Sequence, residues 1–74
     1  MPKLTDLIDG QDAVITRIDL PAQLASRFME MGLMEGCKVT LLRRAPLGDP
    51  LELQVGGARL SLRSVDAAGI EVSR

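Results

Sequence analysis

Leu51-Glu52-Leu53-Gln54-Val55 and Ala58-Arg59-Leu60-Ser61-Leu62 each alternate apolar and polar residues, with only Gly56-Gly57 between them. No other stretch constrains the fold as much. Strict alternation places one set of side chains on one face of a strand. Two glycines between two such runs are a two-residue hairpin signal. With that turn, Val55 pairs with Ala58, Leu53 with Leu60 and Leu51 with Leu62, and all six side chains share a face. A slip of one residue would turn the whole apolar set to water, so the register is strongly specified.

The remaining segments are read around this hairpin. Thr5 to Gly10 is one helical turn and a stop, laying Leu4, Leu7 and Ile8 on the core. Ala13 to Ile18 is short and rich in β-branched residues, hence a strand, with Val14, Thr16 and Ile18 expected inward. A helix runs from Pro21, at its first position, to about Met31, capped by Asp19 or Leu20 and closed by Gly32. At 100° per residue Leu20, Leu24, Phe28 and Met31 form its core stripe. Cys37 to Ala45 is a strand with Val39 and Leu41 inward. Leu42 then faces out, or a bulge resets the alternation. Ser64 to Ala68 makes a short helical turn, Gly69 breaks it, and Ile70 to Val72 is a last strand. The sum is a mainly β fold of about five short antiparallel strands with a helix inserted after the first. Such strands tend to curl into a partly open barrel.

At 74 residues the chain holds one domain and one small core. With 46% hydrophobic and 26% charged residues it is globular. One cysteine makes no internal disulfide, which fits a reducing cytoplasm. The N-terminus lacks the basic start and apolar run of a signal peptide. No segment approaches the about 20 apolar residues of a membrane span, so direct membrane insertion is not expected. A net charge of −1 and Phe28 as the sole aromatic residue argue against nucleic-acid binding.

With no histidine, imidazole acid–base and triad chemistry are absent. Cys37 beside Lys38 has no evident partner base, so the chain does not read as an enzyme. Glu30, Glu35 and Cys37 flank the Gly32-Leu33-x-x-Gly36 turn. They lack the imidazoles or multiple thiolates of a tight iron or zinc site. A weak transition metal ion shared between molecules fits better, and weak self-association stays open.

The loop Pro46-Leu47-Gly48-Asp49-Pro50 points instead to contact. Two prolines end strand pairing on both sides, Gly48 supplies an unusual backbone angle, and Leu47 is left at a hairpin tip where a polar residue is the norm. Of the remaining apolar residues, Met31 and Leu33 are read as core, while Met29, Met34, Leu42 and Leu47 exceed what one face of a small barrel needs, and exposed methionines suit adaptable surfaces. Core packing and partner contact are both open for Met29 and Met34. Arg43 and Arg44, with Arg59 and Arg63, form a solvated face weakly paired to Glu52, or an electrostatic rim for an acidic partner.

Gly32-Leu33-x-x-Gly36 followed by Arg44-Ala45-Pro46-Leu47-Gly48-Asp49-Pro50 resembles the FeoA family of small bacterial proteins in ferrous iron uptake. Leu24-x-x-Arg27-Phe28-x-x-Met31-Gly32-Leu33 and Arg59-Leu60-Ser61-Leu62-Arg63 extend the resemblance over nearly the whole chain. It implies an SH3-like barrel with a helical insertion. It also implies a cytoplasmic accessory role, at the inner face of the membrane through the FeoB transporter, whose cytoplasmic part it would bind. The alternative implied is a metal-responsive module like the C-terminal SH3-like domain of some metal-dependent repressors. Partner contact is assigned to Met29, Leu33, Met34, Leu47, Arg43 and Arg44. The monomer is expected to bind ferrous iron or zinc only weakly, and Cys37→Ser to change folding little. Calorimetry revealing a stoichiometric, submicromolar site on the monomer would overturn this and promote the regulatory alternative.

Overall fold

The computed structural model describes residues 1–74. Five strands form one antiparallel sheet: β1 (Asp12–Ile18), β2 (Lys38–Arg44), β3 (Leu51–Val55), β4 (Ala58–Leu62) and β5 (Ile70–Ser73). Their spatial order is β4-β3-β2-β1-β5. A 3-10 turn over Leu4–Asp6 precedes them. Helix α1 (Ala22–Glu30) is inserted between β1 and β2, and the short α2 (Ser64–Ala67) joins β4 to β5. The sheet wraps one cluster of fifteen buried apolar residues, to which all five strands contribute. Because β4 and β5 do not pair with each other, the barrel is partly open.

The β3–β4 register is the one read from the alternation: Leu51 faces Leu62, Leu53 faces Leu60 and Val55 faces Ala58. Leu51, Leu53, Val55 and Leu62 are buried, and Leu60 packs on the cluster from its rim. Gly56 carries the left-handed angle of the turn, φ +58°, which a side chain would resist.

β1 corrects the expected face. Ala13 and Ile15 point inward, while Val14 and Thr16 are exposed. Ala13 lies opposite Val39 and Ile15 opposite Val72, both core residues. Between Ile15 and Arg17 the pairing with β5 slips at a bulge. Two β1 residues there span one on the partner, so the alternation resets and Ile18 turns inward against Ile70. A second bulge between Leu41 and Arg43 settles the open question in β2. It leaves Leu42 half-buried and brings Arg44 opposite Leu51.

α1 starts one residue later than expected. Pro21 is the cap, in extended backbone at φ −53° and ψ 143°, and its carbonyl accepts the first helical bond from Ala25. Asp19 does not cap: no side chain bonds the start of the helix, and the Asp19 N–H donates to the Gly69 carbonyl at 2.7 Å. Phe28 is buried, and Leu20 and Leu24 pack on the core rim. Met31 leaves the expected stripe and is 42% exposed. The helix ends at Glu30, and the chain then turns through Gly32 at φ +93°. Leu33 enters the core in place of Met31, its N–H bonded to the Phe28 carbonyl. At the N-terminus Leu4 and Leu7 are buried but Ile8 is 71% exposed. The 3-10 turn ends at Asp6 and Leu7 is extended, so Ile8 falls on the opposite side.

Of the glycines, Gly69 has the least room for a side chain. A Cβ there would lie 2.5 Å from the Asp19 carbonyl oxygen and 2.8 Å from Leu20. At Gly57 a Cβ would meet nothing. Gly69→Ala is therefore expected to destabilise the fold by about 1–3 kcal/mol through overpacking. Gly57→Ala should stay within about 0.5 kcal/mol of the parent, as a surface change does. Urea denaturation of the two variants checks the contrast.

Candidate functional site

The loop between β2 and β3 is built by its own hydrogen bonds and then fastened to the body. Gly48 N–H donates to the Ala45 carbonyl at 2.7 Å, and Ala45 N–H to the Pro50 carbonyl at 3.0 Å. Gly48 adopts φ +87° to close the turn. The Asp49 carboxylate then accepts from Ser64 N–H at 2.9 Å, at the first turn of α2, and the Ser64 hydroxyl donates to the Gly48 carbonyl at 3.3 Å. Leu47 thus precedes two residues, Gly48 and Asp49, that are fastened to Ser64, and it is 97% exposed. Val65, next to the anchoring Ser64, is 70% exposed. Nothing local in the sequence marks Ser64 or Val65, because Asp49 and Ser64 are fifteen positions apart.

The other candidate contact residues divide. Met29 and Met34 are exposed. Met34 lines an open groove of about 800 Å³ with Glu30, Met31, Cys37 and the β3–β4 hairpin tip around Val55. That groove is at the Val55 end of β3, and the Leu47 loop is at the Leu51 end. At strand rise the two ends are about 13 Å apart, so Leu47 and Met34 do not form one patch. Leu33 is removed from the contact set: it is fully buried, held there by the turn that closes α1.

Arg44 is also corrected. The bulge in β2 turns it toward the interior side, where its guanidinium donates to the Thr5 carbonyl and, at 3.0 Å, to the Leu7 carbonyl. Its work is to fasten the N-terminal segment. Arg43 remains at the surface, bonded to Glu52 at 2.8 Å. That pair replaces the expected contact of Glu52 with Arg59 or Arg63, since Arg43 is directly opposite Glu52 across β2–β3. Arg63 bonds Asp66 at 3.1 Å instead, so the four arginines do not form one cluster.

Glu30 and Cys37 both line the groove, but Glu35 does not. No three His, Cys, Asp or Glu side chains come together. At the groove's outer rim the Thr40 hydroxyl donates to Asp12 at 2.6 Å, and the Lys38 ammonium is 3.4 Å from the same carboxylate. The Thr40 bond, helped by Lys38, holds the Asp12 carboxyl below its usual range.

A small partly open β-barrel of five antiparallel strands with a helix inserted after the first is an SH3-like module, and this one carries an exposed leucine on a fastened loop at one end of β3 and a methionine-lined groove at the other. The FeoA domain model matches residues 3–74, and the chain belongs to the FeoA family. The FeoA protein of Chlorobium tepidum is 39% identical and superposes with a TM-score of 0.93, over 96% of this chain and 68% of that one. The zinc-complexed FeoA of Stenotrophomonas maltophilia, described as a prokaryotic SH3 domain protein, is 32% identical with a TM-score of 0.81, over 99% and 91%. A Porphyromonas gingivalis Fe(2+) transport protein A/Fe(2+) transporter FeoB fusion protein is 39% identical over 70 residues, 95% of this chain and 8% of the fusion. The chain thus spans a small fraction of that curated relative. No helix here is long and apolar enough to cross a membrane.

Thr40→Val is expected to raise the Asp12 pKa toward the ordinary carboxylate value. A depressed folded-state pKa contributes stability that is present above the unfolded value, about 4, and is lost as pH falls through the folded value. Carboxyl NMR titration of parent and variant checks it: an unmoved Asp12 titration would show that the Thr40 bond does not set the shift.

Proposed function

We propose that this chain is a non-enzymatic accessory of ferrous iron uptake, docking on the cytoplasmic part of a FeoB transporter to support or regulate transport. The observation that carries this reading is the Porphyromonas gingivalis fusion protein, whose name joins a FeoA and a FeoB in one polypeptide with a segment 39% identical to this chain. Covalent linkage raises the effective concentration of two modules by orders of magnitude. Where the module is a separate chain, its own surface has to supply that affinity.

Leu47 is the side chain best placed to do so. The loop that carries it is fastened by Asp49 and Ser64, so docking orders less of the loop, and ordering costs are what erode interface energy. Burying one leucine contributes about 1.5–3 kcal/mol, or about ten- to a hundredfold in affinity. Val65 would widen the contact, and Arg43 would stand at its rim. Met34, in the groove at the opposite end of β3, offers the competing surface, and Met29 is a further exposed methionine on α1.

Leu47→Asp is expected to leave the melting temperature unchanged and to weaken capture by FeoB, full-length or as its isolated cytoplasmic domain, by about ten- to a hundredfold. Asp49→Ala keeps the leucine but frees the loop, so it should weaken capture to a smaller degree. A folded Leu47→Asp protein that binds like the parent would move docking to the methionine surface, where Met34→Asp in the groove and Met29→Glu on α1 would then be the damaging changes.

A further inference from the structure

The two edges of the sheet are treated differently. β5 is covered, because the N-terminal segment lies along it: Val72 N–H donates to the Pro2 carbonyl at 3.0 Å and Lys3 bridges Glu71. β4 has no such cover and pairs with β3 alone. The Gly56-Gly57 turn makes Val55 and Ala58 the closing hydrogen-bonded pair. Ala58, Leu60 and Leu62 therefore aim their backbone groups at β3, and Arg59 and Ser61 aim theirs outward. No backbone bond outside the β3–β4 ladder involves these five residues. An open, regular edge of this kind is a template for another strand.

The side chains select which strand. Arg17, Lys38, Arg43 and Arg63 each have a carboxylate within 4.0 Å, whereas Arg59 has none. Arg59, Ser61 and Arg63 are exposed on the outer face, and Ala58 and Leu60 are only half-buried on the inner one. An antiparallel copy of β4 would bring this arginine set against itself, and like charges opposite one another destabilise pairing. A strand alternating acidic and apolar residues fits both faces. Its carboxylates would meet Arg59, which has no carboxylate of its own, and lie beside Arg63, which Asp66 already holds, while its apolar side chains cover Ala58 and Leu60.

We propose that the β4 edge takes an extended acidic segment of a partner protein as a sixth strand, bonded to the outward backbone groups of Arg59 and Ser61. This stands whether or not the Leu47 tip docks. The test is amide NMR titration of the full chain with two capped nine-residue peptides, one alternating glutamate and valine and one alternating lysine and valine. The glutamate peptide should shift the Arg59 and Ser61 amides more than those of Leu60 and Leu62, and added salt should weaken it. Ser61→Pro should abolish the response while leaving the β3–β4 ladder intact, since its N–H bonds to nothing in the fold. If that variant unfolds, the Arg59→Glu/Arg63→Glu pair decides, because it should transfer the response to the lysine peptide. Shifts centred elsewhere, an equal response of the parent to both peptides, or a concentration-dependent dimer through β4 would overturn the proposal.

Discussion

The apolar face of β3 is the interaction on which the rest of the molecule depends. Leu51, Leu53 and Val55 are buried side by side on the central-to-edge strand, with partners on both sides. A chain of this length has one core and no disulfide to assist it, so burial at this face carries a large share of a stability that is only marginal in any small domain. The face fixes more than energy. It sets the register of β4 through three apolar pairs, and it sets the register of β2 through Leu41 opposite Leu53. Both hairpin ends are placed by these registers, and with them the loop that carries Leu47 and the turn that walls the groove.

Function is then a matter of what the core leaves outside. Inward alternation buries most leucines of the strands, and four of the large apolar residues left exposed lie near the ends of β3. Leu47 and Val65 are at one end of β3, and Met31 and Met34 are at the other. The charged residues are spent differently from one another despite similar spacing. Arg44 holds the N-terminal segment through two backbone carbonyls, Arg43 and Arg63 are neutralised by nearby carboxylates, and Arg59 stands alone on an open edge. Exposed ion pairs of this sort contribute little to stability, so their interest lies in what they leave unsatisfied.

Backbone irregularities account for the main departures from the periodic pattern. In β1 a bulge at Thr16 reversed the expected face. In α1 the helix closed one residue before Met31, and Leu33 took the core position that the helical stripe had assigned to Met31. Leu33 reads from the sequence both as core and as part of the contact set, and the glycine turn settles it in the core, while the β2 bulge turns Arg44, assigned to the contact set, partly inward. Periodicity carries the phase of a regular element, and it carries no information on where that phase is broken.

The sequence by itself determined the elements that rest on local physics: the β3–β4 hairpin and its register, the helix inserted after β1, the rigid Pro46–Pro50 loop with its exposed leucine, and the FeoA resemblance. These follow from alternation, turn chemistry and backbone restriction, all of which act over a few residues. Only the tertiary structure decided that Ser64 fastens that loop, that Leu47 and Met34 are at opposite ends of one strand, and that one sheet edge is covered while the other is bare. Each of those depends on residues far apart in the chain meeting in space, as Asp49 meets Ser64 and Pro2 meets Val72. Such meetings are set by how the whole sheet closes on its core, which no single segment encodes.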